Sequence, residues 1–111
     1  MKYFLTLALA ILTVLAFSGR VAAGGDAQAG KAVYDLKCKM CHGADGKGNP
    51  AIAKAMKVTF PDLTSPAIQS KTDAEFTKQI TEGGGKMQPI KGLTEEQISG
   101  VIAFIRSLAK S

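Results

Sequence analysis

The sequence predicts an all-α fold, and three observations carry that expectation. Two capping boxes, Thr72-Asp73-Ala74-Glu75 and Thr94-Glu95-Glu96-Gln97, each open a stretch whose apolar residues recur at helical spacing. Asp26 supplies a further N-cap signal ahead of another such stretch. No segment alternates apolar and polar residues convincingly enough for a strand.

The 111-residue chain opens on something other than this domain. Lys2 provides a basic start, Phe4 to Phe17 is an apolar run broken only by Thr6 and Thr13, and the small residues Val21, Ala22 and Ala23 follow Arg20. That is the layout of a secretory signal peptide, with cleavage expected after Ala23. The run is short for a membrane span, which needs roughly 20 residues; an uncleaved anchor is the alternative. The expected division is therefore a signal peptide over 1–23 and one domain over 24–111. Export implies a periplasmic location for the mature chain. Loss of Lys2 and Arg20 lowers the net charge from +5 to +3. With no run of five like charges and no basic-aromatic interleaving, nucleic acid is not an expected partner.

Within the domain, the first helix opens near Asp26 and runs through Gly30 and Tyr34 towards Cys38, with Ala29, Val33 and Leu36 on one face. A loop rich in Gly, Asp and Asn covers Gly43 to Pro50, and a short helical stretch is expected from Ala51 to about Lys57. Phe60 to Pro66 holds two prolines and should be irregular. The Thr72 box starts a helix that buries Phe76 and Ile80 and stops at Gly83. The Thr94 box starts a helix with Ile98, Val101, Ile102, Ile105 and Leu108 on one stripe and Arg106 and Lys110 near its negative end. Only Tyr34, Phe60, Phe76 and Phe104 remain as aromatics after residue 23. A domain of this size is marginal on its own core and gains from a staple, metal or cofactor.

The only two cysteines and the only histidine stand together as Cys38-Lys39-Met40-Cys41-His42. C-x-x-C-H is the attachment signature of a c-type haem. Two thiols three positions apart lie on one side of a helical turn and can reach the two vinyl groups on one haem edge. The next residue, His42, then stands beneath the iron. Two other chemistries use such residues. A dithiol redox pair belongs in a βαβ setting that this chain lacks, and a structural zinc site draws on about four ligands where one cluster is present.

From Gly24 to Lys110 the chain resembles the class I cytochromes c. An N-terminal helix leads into C-x-x-C-H, a Gly- and Pro-containing loop follows, a Met stands late in the chain, and an amphipathic helix closes it. The resemblance implies the cytochrome c fold, three main helices plus short helical turns around one covalently attached haem c. It also implies that the first and last helices cross at close range, Gly30 and Tyr34 meeting Val101 and Phe104.

With no second His, a six-coordinate iron needs Met, Lys or a terminal amine. Met40, Met56 and Met87 are candidates, and Gly85-Lys86-Met87 looks like the family's distal-ligand loop, although Gln88 intervenes before Pro89 where relatives place Pro directly after the Met. The resemblance further suggests that the Pro50 carbonyl accepts a hydrogen bond from the second ring nitrogen of His42; the other reading is that Pro50 only shapes the loop or starts the next helix. Asn49 and Thr64 are polar candidates for contact with a haem propionate. A His42/Met87 pair fills both axial positions and favours a single-electron carrier over an enzyme. The expected partners are redox proteins, donor and acceptor unidentified, with the chain a monomer. Lys37, Lys39, Lys47, Lys86 and Lys91 surround the motif and the Met87 loop and could steer acidic partners. The alternatives are a haem protein with an open distal site acting as peroxidase or gas sensor, a dithiol oxidoreductase, and a cytochrome subunit of a larger respiratory complex.

Overall fold

The computed structural model describes residues 25–110; the expected signal peptide lies outside them. Six helices follow in order: α1 Ala27–Lys37, α2 Lys39–His42, α3 Pro50–Met56, α4 Pro66–Gln69, α5 Asp73–Glu82 and α6 Glu95–Leu108. Among the described residues, the only β pairing is an isolated bridge between Gly84 and Met87. The all-α expectation therefore describes the fold, and none of the described helices is long and apolar enough to cross a membrane.

The starts of these helices follow from local chemistry. Asp26 Oδ1 accepts from the N–H groups of Gln28 at 2.9 Å and Ala29 at 3.3 Å, donors that have no partner within the helix. Both Thr boxes close reciprocally: Glu75 N–H donates to Thr72 Oγ1 while Thr72 N–H donates to Glu75 Oε2, and Thr94 and Gln97 repeat the pattern. Asn49 caps α3, with Pro50 at its first position, where a missing N–H costs nothing. Gly83, at φ +70°, ends α5. The single turn α4, capped by Ser65 with Pro66 at its first position, begins where the irregular stretch expected over Phe60 to Pro66 ends.

Packing centres on the crossing of α1 and α6. The contact is backbone against backbone: a Cβ on Gly30 would collide with the Gly100 carbonyl, and one on Gly100 would lie 3.0 Å from Asp26 O. Around this point Tyr34 and Val101 are fully buried, and the rings of Tyr34 and Phe104 lie 4.8 Å apart. Ile98, Val101, Ile102 and Ile105 are buried as the α6 stripe predicts, each adding roughly 1.5–3 kcal/mol relative to exposure. The side of α1 that meets α6 is the one the expected crossing requires, not the aliphatic face of Ala29, Val33 and Leu36. Gly30 and Tyr34 are its buried residues, whereas Ala29 is exposed, Val33 half-buried and Leu36 82% exposed. Close approach of two backbones selects the glycine face, not the face with the most aliphatic side chains.

Arg106 joins α6 to the opposite side of the molecule. Its guanidinium donates to the Gln69 and Lys71 carbonyls and to Asp73 Oδ1, and it lies 5.0 Å from the centre of the Phe76 ring. The side chain expected to answer the helix dipole instead clamps the α4–α5 connection.

Candidate haem site

A cavity of about 470 Å³ opens between the crossing and the loops, within the roughly 300–1,000 Å³ range of cofactor pockets. One wall is Tyr34, Cys38, Cys41 and His42; Phe60 and Leu63 follow from the loop after α3; Phe76, Gln79 and Ile80 come from α5; Met87 and Ile90 come from the loop beyond it; Val101 and Ile105 form the floor.

Backbone geometry presents the first wall. The Cys38 carbonyl accepts from the N–H groups of Cys41 at 3.2 Å and His42 at 2.9 Å, so the motif forms one tight turn after α1. Both thiols are half-buried and unbridged. Burial, and secondarily the neighbouring Cys41, push the Cys38 thiol up to about 11. Burial lowers the His42 pKa below its ordinary 6.5, so at neutral pH the ring is an uncharged imidazole, the form that binds metal. The following loop turns back on the motif. Gly48 N–H donates to His42 O at 2.7 Å and Asn49 N–H to Cys41 O at 2.9 Å. Phe60 lies against His42, ring centres 5.7 Å apart.

Another wall is built by a small turn. Gly84 and Met87 exchange backbone hydrogen bonds of 3.0 Å in both directions around Gly85, itself at φ +57°. Gly83 is required beneath it, since a Cβ there would lie 2.5 Å from Met87 O. Ile90 N–H returns the chain to Ile80 O at 2.8 Å. Gln79 Nε2 donates to Met87 Sδ at 3.4 Å, and Lys86 Nζ donates to Met56 O at 3.4 Å, tying the turn to the end of α3.

The structure thus brings Cys38, Cys41, His42 and Met87 to one cavity. Met56 lines it too, while Met40 is 74% exposed and lies off it. Pro50 is not among the lining residues; His42 Nδ1 is buried without a hydrogen-bond partner, so the suggested bond to the Pro50 carbonyl is not formed, and Pro50 starts α3. Asn49 and Thr64 are engaged locally, Asn49 as the α3 cap and Thr64 with its hydroxyl on Asp62 at 2.6 Å. Sequence reasoning missed Gln79, although its position three residues after Phe76 places it on the same side of α5. It also missed Tyr34 as a hydrogen-bond donor: the buried hydroxyl donates to Gly43 O at 2.6 Å, and burial, with smaller contributions from Cys38, Asp45 and Asp35, raises the phenol pKa well above its usual value.

These residues fit a haem. Two thiols stand beside a neutral imidazole, a thioether stands on another wall, and apolar side chains lie between them. No three His, Cys, Asp or Glu side chains gather as a metal site among the described residues.

Comparison with known proteins points the same way. The family model for cytochrome c matches residues 27–109. The chain is 38% identical over 94 residues to the cytochrome c6 of Rippkaea orientalis, covering 81% of this chain and 78% of that protein. It is 30% identical over 89 residues to the cytochrome c-554(547) of Halothiobacillus neapolitanus, covering 76% and 98% respectively. It is also 29% identical over 98 residues to the cbb3-type cytochrome c oxidase subunit CcoP of Azospirillum brasilense, covering 86% of this chain but 32% of that protein. With its all-α fold and its C-x-x-C-H wall, the chain belongs to the cytochrome c family, electron-transfer proteins that carry covalently attached haem c.

Proposed function

We propose that this chain is a periplasmic carrier of single electrons, in which Cys38 and Cys41 tether the haem through thioethers and His42 and Met87 are its axial ligands. The observation that carries this reading is the meeting of all four side chains at one apolar cavity. When bound, the haem supplies a one-electron couple between ferric and ferrous iron. His42 offers a neutral nitrogen donor, and Met87 offers a soft sulfur donor that favours the reduced state. Apolar residues around the cavity exclude water and so raise the potential further. With His42 and Met87 both holding the iron, the chain would leave no site on it for substrate, and the reading is a carrier and not an enzyme. Residues 1–23 direct export; the mature N-terminus is then Gly24, which a mass measurement of the exported protein checks.

The test is a visible to near-infrared spectrum of the oxidised, haem-loaded protein. A weak sulfur-to-iron charge-transfer band is expected, lost in Met87→Ala and kept in Met56→Ala. Absence of the band, together with rapid carbon monoxide binding by the reduced protein, would move the open-site peroxidase or sensor reading to the front.

Partners are redox proteins. Lys37 and Lys86 stand at the cavity itself, and Lys39, Lys47 and Lys91 are exposed, a supply of positive charge that suits acidic partners. Rates with such a partner should fall as ionic strength rises, and a flat salt dependence would remove the steering role. The match to part of CcoP favours one second reading, a subunit or docking module of a respiratory complex. Co-purification with a membrane complex would select it.

A further inference from the structure

The carrier reading uses the ring of Tyr34 as core and leaves its hydroxyl without a task. A Phe would fill the same space at the crossing, so the hydroxyl is not needed for packing. Yet Tyr34 is 0% exposed, and its Oη–H donates to the Gly43 carbonyl at 2.6 Å, nine residues along the chain. Burying a hydroxyl is costly unless it is well bonded, and this bond lands on the residue directly after His42.

Its placement has a specific mechanical effect. Gly43 sits at φ +78°, ψ 162°, a conformation open to glycine and one of many that glycine can adopt. The peptide plane before it is held by Gly48 N–H on His42 O at 2.7 Å. The plane after it is held by Tyr34 on Gly43 O; the other bond to that oxygen, from Gly46 N–H, is long at 3.3 Å. With both planes fixed, the two soft dihedrals of Gly43 are no longer free. Tyr34 also packs 4.8 Å from Phe104 of α6, so the hydroxyl refers the end of the motif to the most tightly packed part of the molecule.

We propose that Tyr34 is a positioning residue for the proximal imidazole: its hydroxyl pins the Gly43 carbonyl and so fixes His42 relative to the α1–α6 crossing. This rests on the reading of His42 as an iron ligand.

The test compares the haem-loaded protein with its Tyr34→Phe variant by NMR. In the unmutated protein, Tyr34 Oη–H should give a slowly exchanging hydroxyl signal close in space to the Gly43 α-protons; a freely exchanging hydroxyl would overturn the proposal. In Tyr34→Phe, the amides of Gly46 and Gly48 should exchange about five- to tenfold faster, the loss of about one buried hydrogen bond, while those of Ile102 and Ile105 in α6 keep their rates. The paramagnetically shifted ring signals of His42 in the ferric protein should move at the same time. Equal acceleration in the loop and in α6 would mean that the hydroxyl serves general stability, and unmoved His42 signals would mean that it holds the loop without placing the ligand; either result overturns the proposal. The ligand reading is judged separately, on the unmutated ferric protein. If no shifted imidazole signal belongs to His42 there, that reading falls and the inference falls with it.

Discussion

The crossing of α1 with α6 and the loop wall around the cavity are two solutions to the same shortage of core. At the crossing, Gly30 and Gly100 let two backbones touch, and Tyr34 and Val101, which border the cavity, are nonetheless fully buried. Along the loop wall, Phe60, Ile68, Met87 and Ile90 are only half-buried and face a cavity. The crossing is held by direct backbone contact, whereas the wall leaves half-buried apolar surface on which a bound haem would supply contacts. A domain too small to close a core on its own side chains can make one rigid half and use it as the reference for the other. Arg106 is the visible link, anchored on α6 and reaching the Gln69 and Lys71 carbonyls beside the wall.

The largest expected effect breaks the crossing. Gly30→Ala puts a methyl into the Gly100 carbonyl, so the helices must separate, at a cost of roughly 3 kcal/mol or more in denaturant unfolding of the haem-loaded protein. The contrasting Gly85→Ala meets no atom within 4 Å and carries only the strain of its φ of +57°, about 1 kcal/mol. Equal costs would dissolve the distinction between the two regions.

Cutting the link comes next. Arg106→Leu loses two carbonyl bonds and the contact with Phe76, and should cost about 1–2 kcal/mol. The pair with Asp73, itself 61% exposed, adds little. Asp73→Asn should therefore be far milder than Arg106→Leu, as paired unfolding curves would reveal.

A smaller effect touches the wall alone. With Met87 on the iron as proposed, the bond from the Gln79 amide would draw electron density from Sδ and disfavour the ferric state. Gln79→Leu should lower the reduction potential by roughly 20–40 mV with the unfolding midpoint almost unchanged. Voltammetry decides it, and an unchanged or raised potential would count against the contact.

The smallest effect lies on the outer face of α1. The hydrogen bond and charge of Lys31 hold the Asp35 carboxyl below its ordinary 3.8. A depressed folded pKa contributes stability above that ordinary value, and the contribution is lost as pH falls from near 3.8 through the folded pKa. Asp35→Asn should lower the midpoint slightly at neutral pH, where the contribution is present but small because the pair is exposed, and flatten the acid limb by the same small amount. A large shift at neutral pH would give this surface a weight that its exposure does not support.

Much of this was legible in the chain itself. Asp26, Thr72 and Thr94 fixed three helix starts, the α6 stripe named four buried residues, and Cys38-Lys39-Met40-Cys41-His42 named the chemistry. Each of those signals acts within about four residues, where hydrogen bonding and side-chain spacing leave little choice. The tertiary structure decided the rest. Gly100 stands 70 residues from Gly30, and their contact exists only because two helices approach closely enough to exclude every side chain. Packing between distant segments likewise left Leu36 exposed, brought Met56 and Met87 to one cavity, and set the Tyr34 hydroxyl on Gly43. Local sequence determines which turns can form; packing between distant segments determines which atoms meet.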